Sequence, residues 1–262
     1  FRAVLNGRQV AFLCPTTILS EQHYQTLKNR FKDFMVNVAV VNRFRTKSQI
    51  QQILKDLKDG KIDILIGTHR LLSDDVKFNK LGLLVLDEEQ RFGVADKEKI
   101  KEIKSTVDVL TLSATPIPRT LNMALTGIRD ISIIATPPKQ RLPITTYVAE
   151  ESESLIESAC KRELSRGGQV LYVVNRIEKI DKHLSRLRAL LPNARIGIAH
   201  GQMPEKLLED TILKLYNKEY DILIATTLIE SGIDLPQANT MIIIDADCLG
   251  LAQLYQLRGR IG

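Results

Sequence analysis

The sequence predicts an α/β protein built from two tandem domains with mostly parallel sheets. Short apolar runs alternate with stretches of helical periodicity over the 262 residues, and this alternation is typical of βαβ units. A segment with three prolines, residues 136–143, interrupts the alternation near the middle. Small and polar residues follow the apolar runs in both halves. Because the carboxyl ends of parallel strands form one edge, we expect a ligand-binding edge in each domain.

Six apolar runs in the first half are expected to be strands, because they are short and rich in β-branched residues. They are Gln9–Cys14, Val36–Val41, Ile62–Ile66, Leu83–Leu86, Val107–Leu112 and Ile131–Ile134. Between the second and third runs, apolar residues recur at helical spacing after Thr46 and Gln49. Thr followed three residues later by Gln is a capping box, which predicts an amphipathic crossover helix.

The second half repeats the pattern after the proline-rich segment, which we interpret as an interdomain linker. The predicted domains are residues 1–138 and 139–262. The expected strands of the second domain are Ile144–Val148, Val170–Val174, Arg195–Ala199, Ile222–Ala225 and Met241–Asp245.

Composition narrows the class of protein. Lysine and arginine total 37 against 31 acidic residues, and a net charge of +6 permits a polyanion partner without requiring one. The three cysteines have no C-x-x-C spacing, so we expect neither a zinc site nor a disulfide framework, in keeping with a reducing cytoplasm. No apolar run approaches the roughly 18 residues of a membrane span. The absence of an initiating methionine suggests a fragment.

The apolar run 81–86 ends in Asp87, Glu88, Glu89 and Gln90. At the edge of a parallel sheet, Asp87 is suited to hold Mg²⁺ on a nucleotide, and Glu88 to position or deprotonate the attacking water. The alternative is a solvated acidic loop.

Hydroxyl residues, glycines and arginines follow the other strands. Exposed amides and hydroxyls at helix N-termini bind phosphates. For single threonines and serines the alternative is that they only cap the next helix.

At these positions the chain resembles the superfamily 2 helicases over essentially its whole length. Among them it is most similar to the bacterial transcription-repair coupling factors and next to RecG-type branch-migration helicases. The motifs are Pro15-Thr16-Thr17, Gly67-Thr68-His69-Arg70, Asp87-Glu88-Glu89-Gln90, Ser113-Ala114-Thr115-Pro116, residues 225–234 and residues 253–262. The Asp-Glu-Glu box and residues 122–130 favour the coupling factors over RecG.

The resemblance implies two tandem RecA-like domains of the P-loop NTPase superfamily, both incomplete at the chain ends, that use ATP and Mg²⁺ and bind double-stranded DNA. Its implied catalytic residues are Asp87, Glu88, Glu89, Gln90 and Arg260, the finger that would neutralise the γ-phosphate. Nucleotide contacts fall to Gly232, Asp234, Gln256 and Arg258. The residues implied to couple the ATP state to domain movement are Ser113, Ala114, Thr115 and Arg119. The expected DNA contacts are Thr16, Thr17, Arg43, Arg45, Thr68, Arg70, Asn175, His200, Gly201, Thr226 and Thr227.

The family also implies a bacterial, cytoplasmic, nucleoid-associated protein that displaces stalled RNA polymerase and recruits excision-repair proteins through modules outside this chain. Two alternatives stay open: a RecG-like helicase, and a catalytically inactive scaffold that binds DNA or protein, since fold alone does not guarantee activity. Single residues have other interpretations too. His200 can be a hydrogen-bonded strand-end histidine, Arg43 and Arg45 can flank a helix, and Arg119 can pair with a carboxylate.

Two departures from the family pattern matter. The phosphate loop G-x-x-x-x-G-K-[ST] is absent, because the one Gly-Lys pair, Gly60-Lys61, is followed by Ile62. The chain also stops at Gly262, before the second arginine of the finger motif. We therefore expect the isolated fragment to hydrolyse ATP poorly. His23, His69 and His183 are not spaced as metal ligands, so Mg²⁺ is the one metal predicted.

Overall fold

The computed structural model describes residues 1–113, 130–134, 136, 143–226, 235 and 238–261. The chain divides into two compact units, residues 1–114 and 115–262. The predicted domain boundary at 138/139 lies outside the described residues and stays a prediction. Each unit contains a sheet in which every paired strand is parallel, so the predicted α/β class is confirmed.

The first unit contains a five-stranded sheet in the order β2-β3-β1-β4-β5. Its strands are β1 (Gln9–Leu13), β2 (Val38–Val41), β3 (Ile64–Gly67), β4 (Leu81–Asp87) and β5 (Asp108–Leu112). Its helices are α1 (Arg2–Leu5), α2 (Thr17–Arg30), α3 (Lys47–Lys58) and α4 (Val94–Lys104), with 3-10 turns at His69–Leu72 and Glu89–Arg91.

The second unit contains a four-stranded sheet in the order β7-β8-β6-β9. Its strands are β6 (Gln169–Val173), β7 (Ile196–Ala199), β8 (Ile222–Ala225) and β9 (Ala238–Ile243). Among the described residues its helices are α5 (Glu153–Ser165), α6 (Ile180–Leu190), α7 (Glu205–Tyr216) and α8 (Leu251–Arg258), with 3-10 turns at Ile177–Lys179 and Ala246–Cys248.

The central strands are covered on both faces, which explains their nearly continuous apolar sequences. In the first unit, Leu13, Leu65 and Leu86 pack in one core cluster, while Val10 and Ile66 pack in another. Burial on both faces fixes the strands and leaves their carboxyl ends to present polar side chains.

The predicted capping box is confirmed at the start of α3. The Thr46 hydroxyl accepts a hydrogen bond from the Gln49 amide at 3.2 Å, and the Gln49 side chain accepts one from the Thr46 amide at 2.9 Å. Each bond satisfies a backbone donor that the first helical turn leaves without a partner.

Two predicted strands are wrong. Residues 131–134 and 144–148 are described but form no strand. Most of their apolar side chains are exposed, with 94% of Ile134 and 98% of Val148 accessible. Their sequences have strand-like composition, but a strand also needs a neighbour for its backbone groups, and neither segment pairs with a strand within the described part of the chain.

Each sheet has a buried glutamine at the start of its central strand. The Gln9 side chain donates to the carbonyls of Leu57 and Ile62 at 2.9 and 2.8 Å. The Gln169 side chain donates to the carbonyls of Leu215 and Tyr220 at 2.7 and 2.6 Å. The register shifts after each glutamine, against β4 and β9 respectively. The predicted likeness of the two halves therefore extends to single hydrogen bonds.

Candidate nucleotide and nucleic-acid site

The topology places the polar strand ends of the first unit along one edge. From β1 the chain runs to the edge strand β2, returns to β3 beside β1, and then crosses to β4 on the other side of β1. The point between β1 and β4 is therefore a topological switch point, where ligands of doubly wound sheets bind. The predicted threonines and arginines follow β1, β2 and β3, whereas the carboxylates follow β4.

Asp87 is the last residue of β4 and pairs with Leu112 of β5. Its Oδ2 lies 2.9 Å from Nε2 of His23, on α2. Burial, together with the negative charge of Asp87, raises the pKa of the neighbouring Cys14 thiol above its usual range. The Asp87 carboxylate thus lies near a buried thiol, with its side chain 16% exposed.

Glu88 has a left-handed backbone conformation, with φ 51° and ψ 54°. It is 6% exposed, its amide donates to the Leu112 carbonyl at 3.0 Å, and its Oε2 accepts hydrogen bonds from Gln90 and from the Ser113 hydroxyl. A non-glycine residue in this region costs about 1–3 kcal/mol and persists where the surroundings impose it, often at functional sites. The strained backbone thus lies at a buried carboxylate, that of Glu88, directly after the end of β4.

Glu89 has a different environment. Its carboxylate accepts from the Lys104 ammonium at 2.6 Å and from the Thr111 hydroxyl at 3.2 Å. These partners lie on α4 and β5, so Glu89 ties the turn after β4 to those elements. Of the four predicted residues, Glu88 and Gln90 contact each other, whereas Glu89 points to a separate ion pair.

Several predicted site residues lie outside the described residues. They are Ala114, Thr115, Arg119, Thr227, Gly232 and Asp234. Their predicted roles in coupling, DNA contact and nucleotide binding stay predictions.

Thr16 and Thr17 stand at the start of α2. Thr16 is its N-cap, and its hydroxyl accepts from the Leu19 amide at 3.3 Å. The capping interpretation is therefore correct for Thr16. Thr17 is buried, and its carbonyl accepts from the Ser20 hydroxyl at 2.6 Å. The α2 N-terminus keeps the amide orientation that suits an anion.

The arginines after β2 lie beside α2. Both carboxylate oxygens of Glu21 accept from Nη2 of Arg45 at 3.0 Å, and the Arg45 guanidinium lies over the Tyr24 ring. Glu21 also accepts from the buried Asn42 amide at 3.2 Å. Arg43 is exposed. The helix-flanking interpretation of Arg45 thus gains a specific partner, Glu21.

After β3, Thr68 is buried at the start of a 3-10 turn. Arg70 makes a bidentate pair with Asp75, with Nη1 to Oδ1 at 2.6 Å. This hydrogen bonding lowers the pKa of Asp75 below its usual range and raises that of Arg70. On this edge, Arg45 therefore already binds the Glu21 carboxylate and Arg70 the Asp75 carboxylate.

In the second unit, Asn175, His200 and Thr226 follow β6, β7 and β8. Asn175 Oδ1 and His200 Nδ1 are buried without a hydrogen-bond partner among the described residues. The His200 amide donates to Met203 Sδ at 3.4 Å and its carbonyl accepts from the Met203 amide at 3.1 Å, and both interpretations of His200 stay predictions. Gly201 is exposed in the turn after His200. An open depression of about 710 Å³ is lined by residues 175–179.

The finger region lies on and after α8. Gln256 is part of the helix, the Arg258 guanidinium lies 4.9 Å from the centre of the Tyr255 ring, and the Arg260 amide donates to the Leu257 carbonyl at 2.9 Å. The helix therefore presents basic side chains within its last turn and just beyond it.

Sequence reasoning missed His23, which was considered only as a metal ligand. In the described part of the chain no group of three His, Cys, Asp or Glu side chains could hold a metal ion. A single carboxylate at a strand end nevertheless suits Mg²⁺, which keeps several waters and takes phosphate oxygens as ligands. No helix among the described residues is long and apolar enough to cross a membrane.

Known proteins resemble both units. The DEAD/DEAH box helicase profile matches residues 2–124, and the helicase conserved C-terminal domain profile matches residues 151–262. The transcription-repair-coupling factor of Staphylococcus aureus (strain USA300) is 56% identical over all 262 residues, and that of Staphylococcus epidermidis is 55% identical. The chain spans 22% of the length of these relatives.

A solved structure of RecG bound to a three-way DNA junction has 37% sequence identity and a TM-score of 0.81. The match covers 98% of this chain and 34% of that protein.

Proposed function

The chain belongs to the superfamily 2 helicases, and we propose that it is the motor region of a transcription-repair coupling factor. In this proposal the longer protein hydrolyses ATP to move on double-stranded DNA, displaces stalled RNA polymerase and recruits excision repair through other modules. The observation that carries the motor assignment is the buried Glu88 next to Asp87 at the switch point of the sheet.

The proposed chemistry assigns one task to each side chain. Bound Mg²⁺ would neutralise charge on the β- and γ-phosphates, and Asp87 would hold it. Glu88 would accept a hydrogen bond or a proton from the attacking water, while Gln90 and Ser113 keep its carboxylate in place. Arg260 would stabilise charge on the γ-phosphate. The 262 residues contain no phosphate loop, so we expect them alone to hydrolyse ATP weakly.

On the nucleic-acid side, Arg45 and Arg70 would exchange Glu21 and Asp75 for phosphates. Such contacts are mainly electrostatic, so binding should weaken steeply with salt and depend little on sequence. The buried Asn175 Oδ1 and His200 Nδ1, which have no hydrogen-bond partner among the described residues, are suited to complete contacts in the second unit.

The test is ATP hydrolysis with and without duplex DNA, measured on the chain extended to the length of its relatives. Glu88→Gln should lower turnover by about 100-fold or more, because general bases contribute roughly 10²–10⁴. Nucleotide binding should survive, since the isosteric amide keeps the volume. Turnover equal in both proteins would contradict the motor assignment and support an inactive scaffold.

A RecG-like branch-migration helicase is the second candidate, and the 37% identity to RecG on a three-way junction supports it. The same hydrolysis assay should compare linear duplex with three-way junction DNA. Equal stimulation by both favours the coupling factor, whereas strong preference for the junction favours the RecG-like function.

A further inference from the structure

His23 and Asp87 are 64 residues apart in sequence and meet across the switch point between β1 and β4. An ionised carboxylate only accepts hydrogen bonds, so His23 Nε2 must carry the hydrogen that it donates to Oδ2 at 2.9 Å. The two side chains are 29% and 16% exposed. The contact is thus partly shielded from water and fixes one oxygen of the carboxylate.

The imidazole itself is held by packing. Its ring centre lies 4.6 Å from that of Phe12, on β1. Phe12 belongs to the rigid central strand, and His23 lies on the helix that follows it. The direction of the N–H group is therefore set by the sheet.

The second unit contains an equivalent aromatic–histidine pair, to which no described carboxylate is hydrogen-bonded. Tyr172 of β6 and His183 of α6 are 11 residues apart, the same spacing as Phe12 and His23 in the sequence. The registers align Ile244 with Asp87, because Leu13 pairs with Leu86 and Val173 with Ile243. There His183 Nδ1 lies 2.9 Å from the Tyr172 hydroxyl.

This difference separates packing from function. A histidine packed against the central strand does not need a carboxylate, because His183 hydrogen-bonds the Tyr172 hydroxyl instead. In the first unit the strand residue is Phe12, which offers no hydroxyl, and the histidine reaches Asp87 instead. The hydrogen bond from His23 to Asp87 is therefore not imposed by the fold that the two units share. It forms in the unit that has a carboxylate at this position.

We propose that His23 is a positioning residue that orients the Asp87 carboxylate for its divalent cation. This inference rests on the proposed function, which assigns Asp87 to Mg²⁺. Hydrogen-bond partners that hold a metal ligand in place commonly contribute roughly 10- to 100-fold to metal affinity. His23 does not contact the nucleotide in this proposal.

The test is Mn²⁺ affinity in the presence of ADP, measured by the electron paramagnetic resonance of free Mn²⁺ on the chain extended to the length of its relatives. His23→Phe keeps a ring against Phe12 and removes the N–H donor. We expect it to weaken Mn²⁺ binding by about tenfold or more, while His23→Gln, which restores an N–H, stays within about threefold of the wild type. His183→Phe, the equivalent change in the second unit, is the matched control and should leave Mn²⁺ binding unchanged.

Two results would overturn the inference in distinguishable ways. If Asp87→Asn abolishes Mn²⁺ binding but His23→Phe binds like the wild type, the positioning role is wrong and the assignment of Asp87 stands. If Asp87→Asn has no effect, the assignment of Asp87 fails and the positioning role with it. Hydrogen exchange of β1 and α2 verifies that His23→Phe is folded, so that lost binding reports on the carboxylate.

Discussion

The two units contain the same scaffold but different side chains at the switch point. In the first, β4 ends in Asp87 and continues into the left-handed Glu88, at φ 51°. In the second, β9 is followed by buried Ile244 and the left-handed Asp245, at φ 50°. Asp245 pairs with Lys179 at 2.5 Å, and this hydrogen bond lowers its pKa. One backbone shape thus presents a buried carboxylate in one unit and an ion pair nearer the solvent in the other.

The comparison teaches that the left-handed turn belongs to the fold and the chemistry belongs to the side chains. Backbone strain at Glu88 alone would have suggested a catalytic role, yet Asp245 has the same strain. What distinguishes Glu88 is burial and its bonds to Gln90 and Ser113. The next four predictions test how far the equivalence of the scaffolds extends.

The largest expected effect on stability is at the buried glutamines. Gln9→Leu removes the hydrogen bonds to the carbonyls of Leu57 and Ile62 and those from the amides of Asn79 and Lys80. The Leu57 carbonyl keeps another donor, the Gly60 amide at 3.1 Å. At about 1–3 kcal/mol for each of the other three groups, the loss should be at least about 3 kcal/mol in the first unit. Gln169→Leu removes the two bonds to Leu215 and Tyr220 and should cost about half as much in the second.

Hydrogen exchange with mass spectrometry measures both glutamine variants, because it reports the opening free energy of each unit separately. Loss of protection confined to the substituted unit supports two independent cores. Equal losses for Gln9→Leu and Gln169→Leu would contradict the ranking.

Gly168 should be the next most sensitive position. A Cβ there would lie 1.7 Å from Oε1 of buried Glu163, whose other oxygen bonds Arg166 and Thr240. Since the carboxylate is held, Gly168→Ala should cost about 1–3 kcal/mol through overpacking. Gly167→Ala next to it, where φ is +76° but no atom lies within 4 Å, is the control for backbone strain alone. Urea midpoints that are equal for the two variants would show that Glu163 moves aside.

Stability of the second unit should depend on pH through His183. Burial lowers its pKa below the usual value, so the folded state binds the proton less readily than the unfolded state. The stabilisation is therefore complete above about pH 6.5 and is lost as the pH falls below that value, at about 1.4 kcal/mol for each unit of pKa difference. Exchange protection of α6, corrected for intrinsic rates, should decline between pH 7 and pH 5 in the wild type. His183→Gln should flatten this decline, and an unchanged slope would assign it to other groups.

The smallest effects are expected at the turn that follows α3 in one unit and α7 in the other. Gly60 has φ +75° and Lys218, at the equivalent point, has φ 61°. Glycine tolerates this region, so Lys218→Gly should stabilise the second unit by up to about 1 kcal/mol. Gly60→Ala should destabilise the first unit by about as much or more, because its Cβ would lie 2.8 Å from the side-chain nitrogen of Asn79. Thermal midpoints that shift in the same direction for both variants would contradict this reasoning.

Most of the sheets could be predicted from the sequence, because buried parallel strands leave apolar runs that need no knowledge of their partners. The exceptions, residues 131–134 and 144–148, have the same composition but pair with no strand that the structure describes, and local sequence does not specify pairing. β9 also begins at Ala238, three residues before the predicted start. Asn239 and Thr240 interrupt its apolar pattern, but Ala238 and Thr240 still pair with β6 on either side of the register shift.

The site was predictable where its residues follow strands directly, as Asp87 and Glu88 do. The role of His23 was not predicted, because it lies in the middle of a helix, far in sequence from Asp87, and no spacing links the two. Comparing the halves could have revealed it: the shared 11-residue interval between aromatic residue and histidine is visible in the sequence. Equally, the pairing of Glu89 with Lys104 depends on how α4 packs, which the charge pattern does not disclose.

The buried side chain of Gln9 also constrains how the protein is made. Its oxygen accepts from the amide of Asn79, 70 residues later in the chain. At roughly 5–20 residues per second, a ribosome needs about 4 to 14 s to synthesise that interval. Throughout this time the central strand has been made but its β4 neighbour has not. The nascent chain must therefore keep the apolar β1 segment from aggregating until β4 arrives, so slower translation between these strands should increase the demand for chaperones.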